Sequence, residues 1–318
     1  MRNILITLMF DGADFHGWQV QDNAVTIQQT LQDTIEKILG KRENIIGCSR
    51  TDSGVHANMF CCNMRTDSDI SPEKLKKALN ALLPSSISVK NCGEVPYSFH
   101  ARYDCTSKEY KYLLLNSDYR NPFLFKRALY YPYYIDTDML NSEAQDFIGT
   151  HDFSAFCAAG SSVEGKIRTV KNASVIRNKE IIEVTFEADG FLYNMVRIMV
   201  GTLLDINRGK IVPGSIPQII ESKDRNQAGA TAAPEMLLEA KRREKEELEN
   251  MTSSSKKSER KAPYRQERKP ARKPSPAPQK AETADDDDFD YDKYLSGIDR
   301  KQDPNESEID DILNEYRH

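Results

Sequence analysis

Ser49-Arg50-Thr51-Asp52-Ser53-Gly54-Val55-His56-Ala57 crowds a cation, a carboxylate, a glycine and an imidazole into one short run. It is too polar for a core and too specific in composition for filler. As local geometry it reads as a tight turn, because Asp-Ser-Gly suits a bend in which glycine supplies the positive φ. As chemistry it reads as a loop that presents one carboxylate, Asp52, for covalent or proton-transfer work. Composition alone leaves both readings open. A strand near Asn44 to Gly47 delivers the chain into this loop and Met59 to Arg65 reads as a strand leaving it, the rigid flanks from which reactive side chains commonly project.

Working outward, Ile4, Ile6, Leu8 and Phe10 alternate with Leu5, Thr7 and Met9 as in a strand with one face well buried. Thr26 to Gly40 predicts a helix: Ile27, Leu31, Ile35 and Ile38 follow the 3.6 period, Thr26 and Gln29 suit a capping box, and Gly40 stands where a helix ends. Ser71-Pro72 opens a second helix with Leu75, Ala78, Leu79 and Leu82 as its apolar stripe, closed by Pro84. Ser86 to Val89 and Lys108 to Leu115 read as strands, the latter with Tyr110, Tyr112 and Leu114 on one face. Asp136 to Gly149 predicts a helix with Leu140, Ala144, Phe147 and Ile148 inward, and 170–177 with 180–188 a hairpin about Asn178-Lys179.

Phe191 to Ile206 predicts a helix that is apolar on almost every side, with Arg197 in its middle. A guanidinium there either finds a carboxylate partner or reaches solvent along its aliphatic stem, and periodicity does not choose between them. Neither a Gly-x-Gly-x-x-Gly fingerprint nor a phosphate-loop pattern is present, which excludes a Rossmann nucleotide domain. Cys48, Cys61, Cys62, Cys92, Cys105 and Cys157 have no zinc-site spacing, so they read as thiols of a reducing compartment, with neither disulfide nor structural metal expected. No apolar run approaches 18 residues and no cleavable leader is evident, so a cytoplasmic protein without membrane spans is expected.

The formal charge of −5 hides segregation. Residues 281–318 carry 4 Lys and Arg against 14 Asp and Glu, and residues 250–280 carry 10 against 2, which leaves 1–249 at −3. Any nucleic-acid grip by the folded part must therefore come from a local basic cleft.

The Asp52 stretch, with Phe15-His16-Gly17-Trp18-Gln19-Val20-Gln21, Phe99-His100-Ala101-Arg102, Tyr110-Lys111-Tyr112, His151-Asp152-Phe153 and Asn194-Met195-Val196-Arg197, resembles the tRNA pseudouridine synthase A family. Order and spacing match over roughly residues 1–235. The resemblance implies a mixed α/β (α+β) pseudouridine-synthase-like fold, two similar subdomains with a central, largely antiparallel sheet flanked by helices. Residues 1–105 would form the N-terminal subdomain with the Asp52 loop, and 106–235 the C-terminal one. It further implies Asp52 as the catalytic nucleophile, ionised and aimed by Arg197, Tyr110 as the active-site tyrosine that stacks on the uracil or takes the C5 proton, and Arg50 as the residue that holds phosphate or fills the space the base vacates; on alternation alone Tyr110 reads equally as a core tyrosine. His56 reads as a hydrogen-bonder of the loop. The substrate would be uridines 38 to 40 of the tRNA anticodon stem-loop, the assembly a homodimer, and no cofactor would be needed.

The chain departs from the family after Pro234. Met236-Leu237-Leu238-Glu239 stands where the family has Gly-Leu-Tyr-Leu, and a charged run follows, so 236–249 is expected as a charged helix and 250–318 as a disordered basic-then-acidic tail of unknown partner. Two other readings stay open. Asp52-Ser53-Gly54 is the triplet of aspartic proteases, although no second copy exists and Arg50 precedes it. A noncatalytic protein that binds and folds tRNA is the other, suggested by the altered end.

Overall fold

The computed structural model describes residues 1–161 and 163–234 and the backbone of 236–242, all within one compact unit spanning Met1–Arg260. The first half runs β1 (Arg2–Phe10), α1 (Ile27–Leu39), β2 (Ile45–Gly47), β3 (His56–Thr66), α2 (Pro72–Leu82) and β4 (Ile87–Val95). The second runs β5 (Cys105–Leu115), β6 (Leu129–Tyr130), α3 (Thr137–Gln145), β7 (Gly149–Asp152), β8 (Ile167–Asn178), β9 (Ile181–Ala188), α4 (Met195–Asn207) and α5 (Ile216–Ser222), before β10 (Met236–Arg242).

All the strands join one mixed, largely antiparallel sheet ordered β4-β1-β3-β10-β5-β9-β8-β7, with β2 on β3 and β6 on β5. First-half strands lie on one side of β10 and second-half strands on the other. β10 pairs antiparallel with β5, Leu238 opposite Tyr110, and parallel with β3, Leu238 opposite Ala57. This corrects the expected charged helix over 236–242. An isolated Leu-Glu-Ala-Lys-Arg run favours helix, but here the backbone N–H and C=O groups of β3 and β5 both need partners, and two ladders override a propensity of a few tenths of a kcal/mol per residue. Residues 243–249 of that expected helix, and the tail over 250–318, lie outside the described residues.

Local signals account for most other elements. Thr26 caps α1 by accepting from Gln29 N, and Gly40 ends it at φ 71°. Ser71 caps α2 with Pro72 in the first turn. Ile4, Ile6 and Leu8 are fully buried, and so are Ile27, Leu31, Ile35, Leu75 and Leu79 of the two helices. The opposite face of β1 is closed too: Asn3 Nδ2 donates to Phe99 O (2.9 Å) and Pro96 O (3.0 Å), Asn63 Nδ2 to Asn3 Oδ1 (2.9 Å), and Ala101 N to Asn63 Oδ1 (2.9 Å). Two buried asparagines thus clamp the Phe99-His100-Ala101-Arg102 segment onto the sheet.

Two expected helices are shorter than their patterns. α3 stops at Gln145, leaving Phe147 buried but Ile148 exposed, because Gly149 at φ 126° redirects the chain into β7. α4 begins only at Met195, because Asn194 at φ 57° breaks the helical path and frees Phe191 to turn elsewhere.

Candidate active site

The loop carrying Asp52 spans the gap between β2 and β3 and rests on residues 11–18. Trp18 N donates to Thr51 O (3.1 Å), while Gly54 N (3.2 Å) and Ser53 Oγ (3.4 Å) donate to Phe15 O. Such backbone-to-backbone contact leaves no room for side chains. A Cβ on Gly12 would stand 2.0 Å from Val55 O, and one on Gly17, at φ +75°, would stand 2.3 Å from Thr51 O. The Trp18 indole lies against Gly47 at the loop's entry, where a Cβ would be 2.6 Å from Nε1. Phe15-His16-Gly17-Trp18 is therefore the cradle that fixes where Asp52 points.

Arg197 reaches the loop from α4. Its Nη1 is 3.5 Å from Asp52 Oδ2, with the arginine side chain 13% exposed and the aspartate 25%. The same guanidinium donates from Nε to Ala232 O (2.7 Å) and from Nη1 to Asn194 Oδ1 (3.0 Å). Of the two alternatives left open for Arg197, a carboxylate partner is the one found, and a main-chain carbonyl and the residue that breaks the helix complete its setting. Segment 228–234 is seated close enough to offer that carbonyl because Gly201 has no side chain: a Cβ there would be 1.7 Å from Ala230 O. Thr202 Oγ1 accepts Gly229 N (2.9 Å), Asp205 Oδ2 accepts Ala230 N (3.1 Å), and Tyr112 OH donates to Ala233 O (2.8 Å). Pro234 then packs on Gly54, so the strand β10 begins directly beside the Asp52 loop.

Tyr110 lies on β5 with its ring buried and edge-on to Phe191, centroids 5.2 Å apart at 87°. Burial raises its phenol pKa well above the usual value; a hydrogen bond with Ser49 opposes this, and the charge of Asp52 adds to it. Tyr110 is thus a neutral phenol across the physiological range, within the electrostatic reach of Asp52. Arg50 is exposed on the Asp52 loop, and its guanidinium makes no ion pair among the described residues. His56 is buried at the far end of the loop, with Nδ1 3.1 Å from Gly12 N and 3.0 Å from Asp11 Oδ1, and Nε2 2.6 Å from Lys126 O. Both ring nitrogens are engaged within the fold.

The four residues singled out, Asp52, Tyr110, Arg197 and Arg50, therefore come together around one loop. Sequence reasoning missed Phe191, which belongs not to the helix but to the wall against Tyr110, and Asn194, Gly201 and Ala232, which set the arginine. Gly201 in a helix otherwise free of glycine was the signal available for the last group.

A mixed sheet with a loop aspartate beside a helix arginine and a strand tyrosine is the arrangement that the resemblance to the pseudouridine synthases, isomerases that act on RNA, led one to expect. A profile described as tRNA pseudouridine synthase matches residues 6–104 and 144–243. The chain is 46% identical over 237 residues to tRNA pseudouridine synthase A of Thermoanaerobacter pseudethanolicus, covering 74% of this chain and 97% of that protein. It is 47% identical over 234 residues to the protein so named from Caldicellulosiruptor bescii, with 74% and 96% covered, and 41% over 237 to that of Exiguobacterium sibiricum, with 74% and 94% covered. The chain belongs to the tRNA pseudouridine synthase family. A solved Cbf5-Nop10-Gar1 complex matches 74% of this chain and 57% of its own at 11% identity and a TM-score of 0.31, too slight a likeness to add to this.

Proposed function

We propose that this protein converts uridine to pseudouridine in tRNA, at positions 38 to 40 of the anticodon stem-loop, with Asp52 as the nucleophile. The observation that carries the proposal is the Asp52–Arg197 pair beside Tyr110 in a chain of this family. The reaction is balanced within one nucleotide: the C1′–N1 bond breaks, the uracil turns, a C1′–C5 bond forms, and the proton on C5 leaves as one is gained at N1. Nothing is oxidised and no group is carried, so the chemistry asks for a carboxylate and not for a cofactor. An ionised Asp52 can attack the sugar or the base, or assist proton removal to give a glycal, and Arg197 favours the ionised form in each case.

The base is paired or stacked in the substrate and must be extruded, at a cost of a few kcal/mol that stacking and phosphate contacts offset. Tyr110 is suited to stack on it; as a phenol held protonated, it is better fitted to position the uracil than to take the C5 proton. Arg50, exposed at the edge of the loop, is suited to a phosphate or to the space the base leaves. The proposed assembly is a homodimer in the cytoplasm, in keeping with six free thiols and with the absence, among the described residues, of any helix long and apolar enough to cross a membrane. The altered C-terminal segment that suggested a noncatalytic tRNA binder pairs as a full strand beside the loop, which removes the motive for that reading.

Replacing Asp52 by Asn tests the proposal. The amide keeps the size and much of the hydrogen bonding but is no anionic nucleophile, so pseudouridine mapped by mass spectrometry in incubated tRNA should vanish while tRNA binding persists. Turnover near the parent rate would remove Asp52 from the mechanism.

A further inference from the structure

Along β5 the carboxylates and one unbalanced cation lie on opposite faces of the sheet. Side chains alternate, so Lys108, Tyr110 and Tyr112 share the face of the site, and Glu109 and Lys111 the other. The register with β9 sets Glu109 opposite Glu187 and Leu113 opposite Glu183, which puts those two carboxylates on the far face as well. There they are occupied: Lys111 Nζ is 3.2 Å from Glu183 Oε1, and Ser107 Oγ donates to Glu187 Oε1 (2.7 Å). On the face of the site, Lys108 stands opposite Ala188 in β9 and Ala240 in β10. Neither residue type answers an ammonium, and Lys108 makes no ion pair among the described residues.

Its wider surroundings supply no anion either. The charge of Lys108 reaches Cys48, next to Ser49 and Arg50 of the loop, and Cys105 at the start of β5. Burial pushes both thiols above their usual range, so neither ionises to meet it. Lys171 brings a second positive charge to the same end of the strand, its Nζ donating to Thr106 O (2.9 Å). Asp52, for its part, has Arg197 beside it. Exposure along this face falls from Thr106, exposed, through Lys108, half-buried, to Tyr110 and Tyr112, both buried. Lys108 therefore stands at the mouth of the site, about 7 Å along the strand from Tyr110.

We propose that Lys108 binds the backbone phosphate next to the uridine turned out against Tyr110, and so fixes how deep that nucleotide enters. This rests on the function proposed above and adds to it the residue that holds the target nucleotide by its backbone. A base stacked on a buried tyrosine leaves its ribose and phosphates toward the mouth, where the ammonium waits. Lysine suits that position, since its flexible stem packs on the sheet while its head serves phosphate as a point charge. The contact carries no sequence information and sets register, which is what an enzyme that accepts several neighbouring uridines requires.

The test is a cycle between protein and RNA. The full-length parent and Lys108→Gln are titrated with tRNA ligated from synthetic pieces, and with copies in which the phosphate on the 5′ or the 3′ side of the target uridine is a neutral methylphosphonate. Pseudouridine is counted in parallel, and melting curves check the fold; Lys108→Met repeats the comparison with a second neutral side chain. Each variant should bind unmodified tRNA on the order of 10-fold more weakly, with a salt slope lower by about 1. One of the two neutral phosphates should weaken the parent by a similar factor and the variants no further. Lys108→Arg, which keeps the charge, should recover most of the affinity. Losses that add for both phosphates, or variants with the parent's affinity and salt slope, would overturn the assignment and leave the proposed function standing. A parent that forms no pseudouridine in the unmodified tRNA would overturn both.

Discussion

Replacing Arg197 by Met removes a guanidinium that makes three contacts: Asp52 Oδ2 at 3.5 Å, Ala232 O at 2.7 Å and Asn194 Oδ1 at 3.0 Å. Breaking one partner out of a buried ion pair costs about 3–5 kcal/mol. Here the aspartate keeps a quarter of its exposure and the pair is long, so the lower end applies. The stranded Ala232 carbonyl adds about 1 kcal/mol. Met refills most of the volume, so the sum stays near 4 kcal/mol, which in a domain of this size lowers Tm by roughly 8–16 °C. Arg197→Ala should fall further, by the cavity contribution of about 1–2 kcal/mol. Isomerisation, followed by mass-spectrometric counting of pseudouridine in tRNA, should drop on the order of 100-fold or more, because Asp52, the proposed nucleophile, loses the positive charge beside it. An Arg197→Met protein with parental turnover and a Tm within about 2 °C of the parent would refute the pairing argument, since the arginine would then be serving only to reach solvent.

Other consequences are open to measurement. Gly201→Ala gains helix propensity but sets a methyl group 1.7 Å from Ala230 O, so segment 228–234 must shift; a net loss of about 1–3 kcal/mol and weakened turnover are expected from melting and activity assays, and an unchanged Tm would show that the segment yields freely. Burial holds the Tyr110 phenol protonated above its ordinary value, whereas in the unfolded chain it ionises near pH 10; its contribution is therefore intact below about pH 10 and lost as pH climbs toward the folded value. Urea titrations from pH 8 to 11 should accordingly show a shallower alkaline decline for Tyr110→Phe than for the parent, and parallel curves would contradict the burial argument. Deleting residues 250–318 removes the +8 and −10 blocks, which lie beyond the family match ending at 243; if the basic block grips phosphates, tRNA affinity falls and its salt dependence flattens while the modified position stays the same, and equal salt slopes would leave the blocks without a part in RNA recognition.

What could be read in advance was what depends on near neighbours. The cap of α1 was legible because Thr26, Gln29 and Gly40 act within one segment, whereas a guanidinium in an apolar helix left a carboxylate partner and a reach to solvent both open, and only the family resemblance pointed to Asp52. Asn3 and Asn63 carried no signal of their own in the sequence; their function as a clamp on 96–101 depends on a segment some 35–100 positions away. Phe191 was legible as apolar but not as Tyr110's neighbour, since only the αL kink at Asn194 takes it out of the helix. β10 was misread for the same reason on a larger scale. Its residues carry the local preferences of a helix, and what makes them a strand is the pair of partners, one before residue 67 and one before 116, that converge on it.

That central strand has a consequence for how the protein is made. Synthesis runs from β1 onward, and the one segment able to join the two halves of the sheet is the last described, at 236–242. Until it leaves the ribosome, the nascent chain carries two unfinished half-sheets, with the inner flanks of β3 and β5 open to any other extended polypeptide. Completion is necessarily late and long-range, which predicts slow refolding and a demand for chaperone shelter during translation. The same event that closes the sheet brings Pro234 against Gly54, so the Asp52 loop is finished at the moment the fold is sealed.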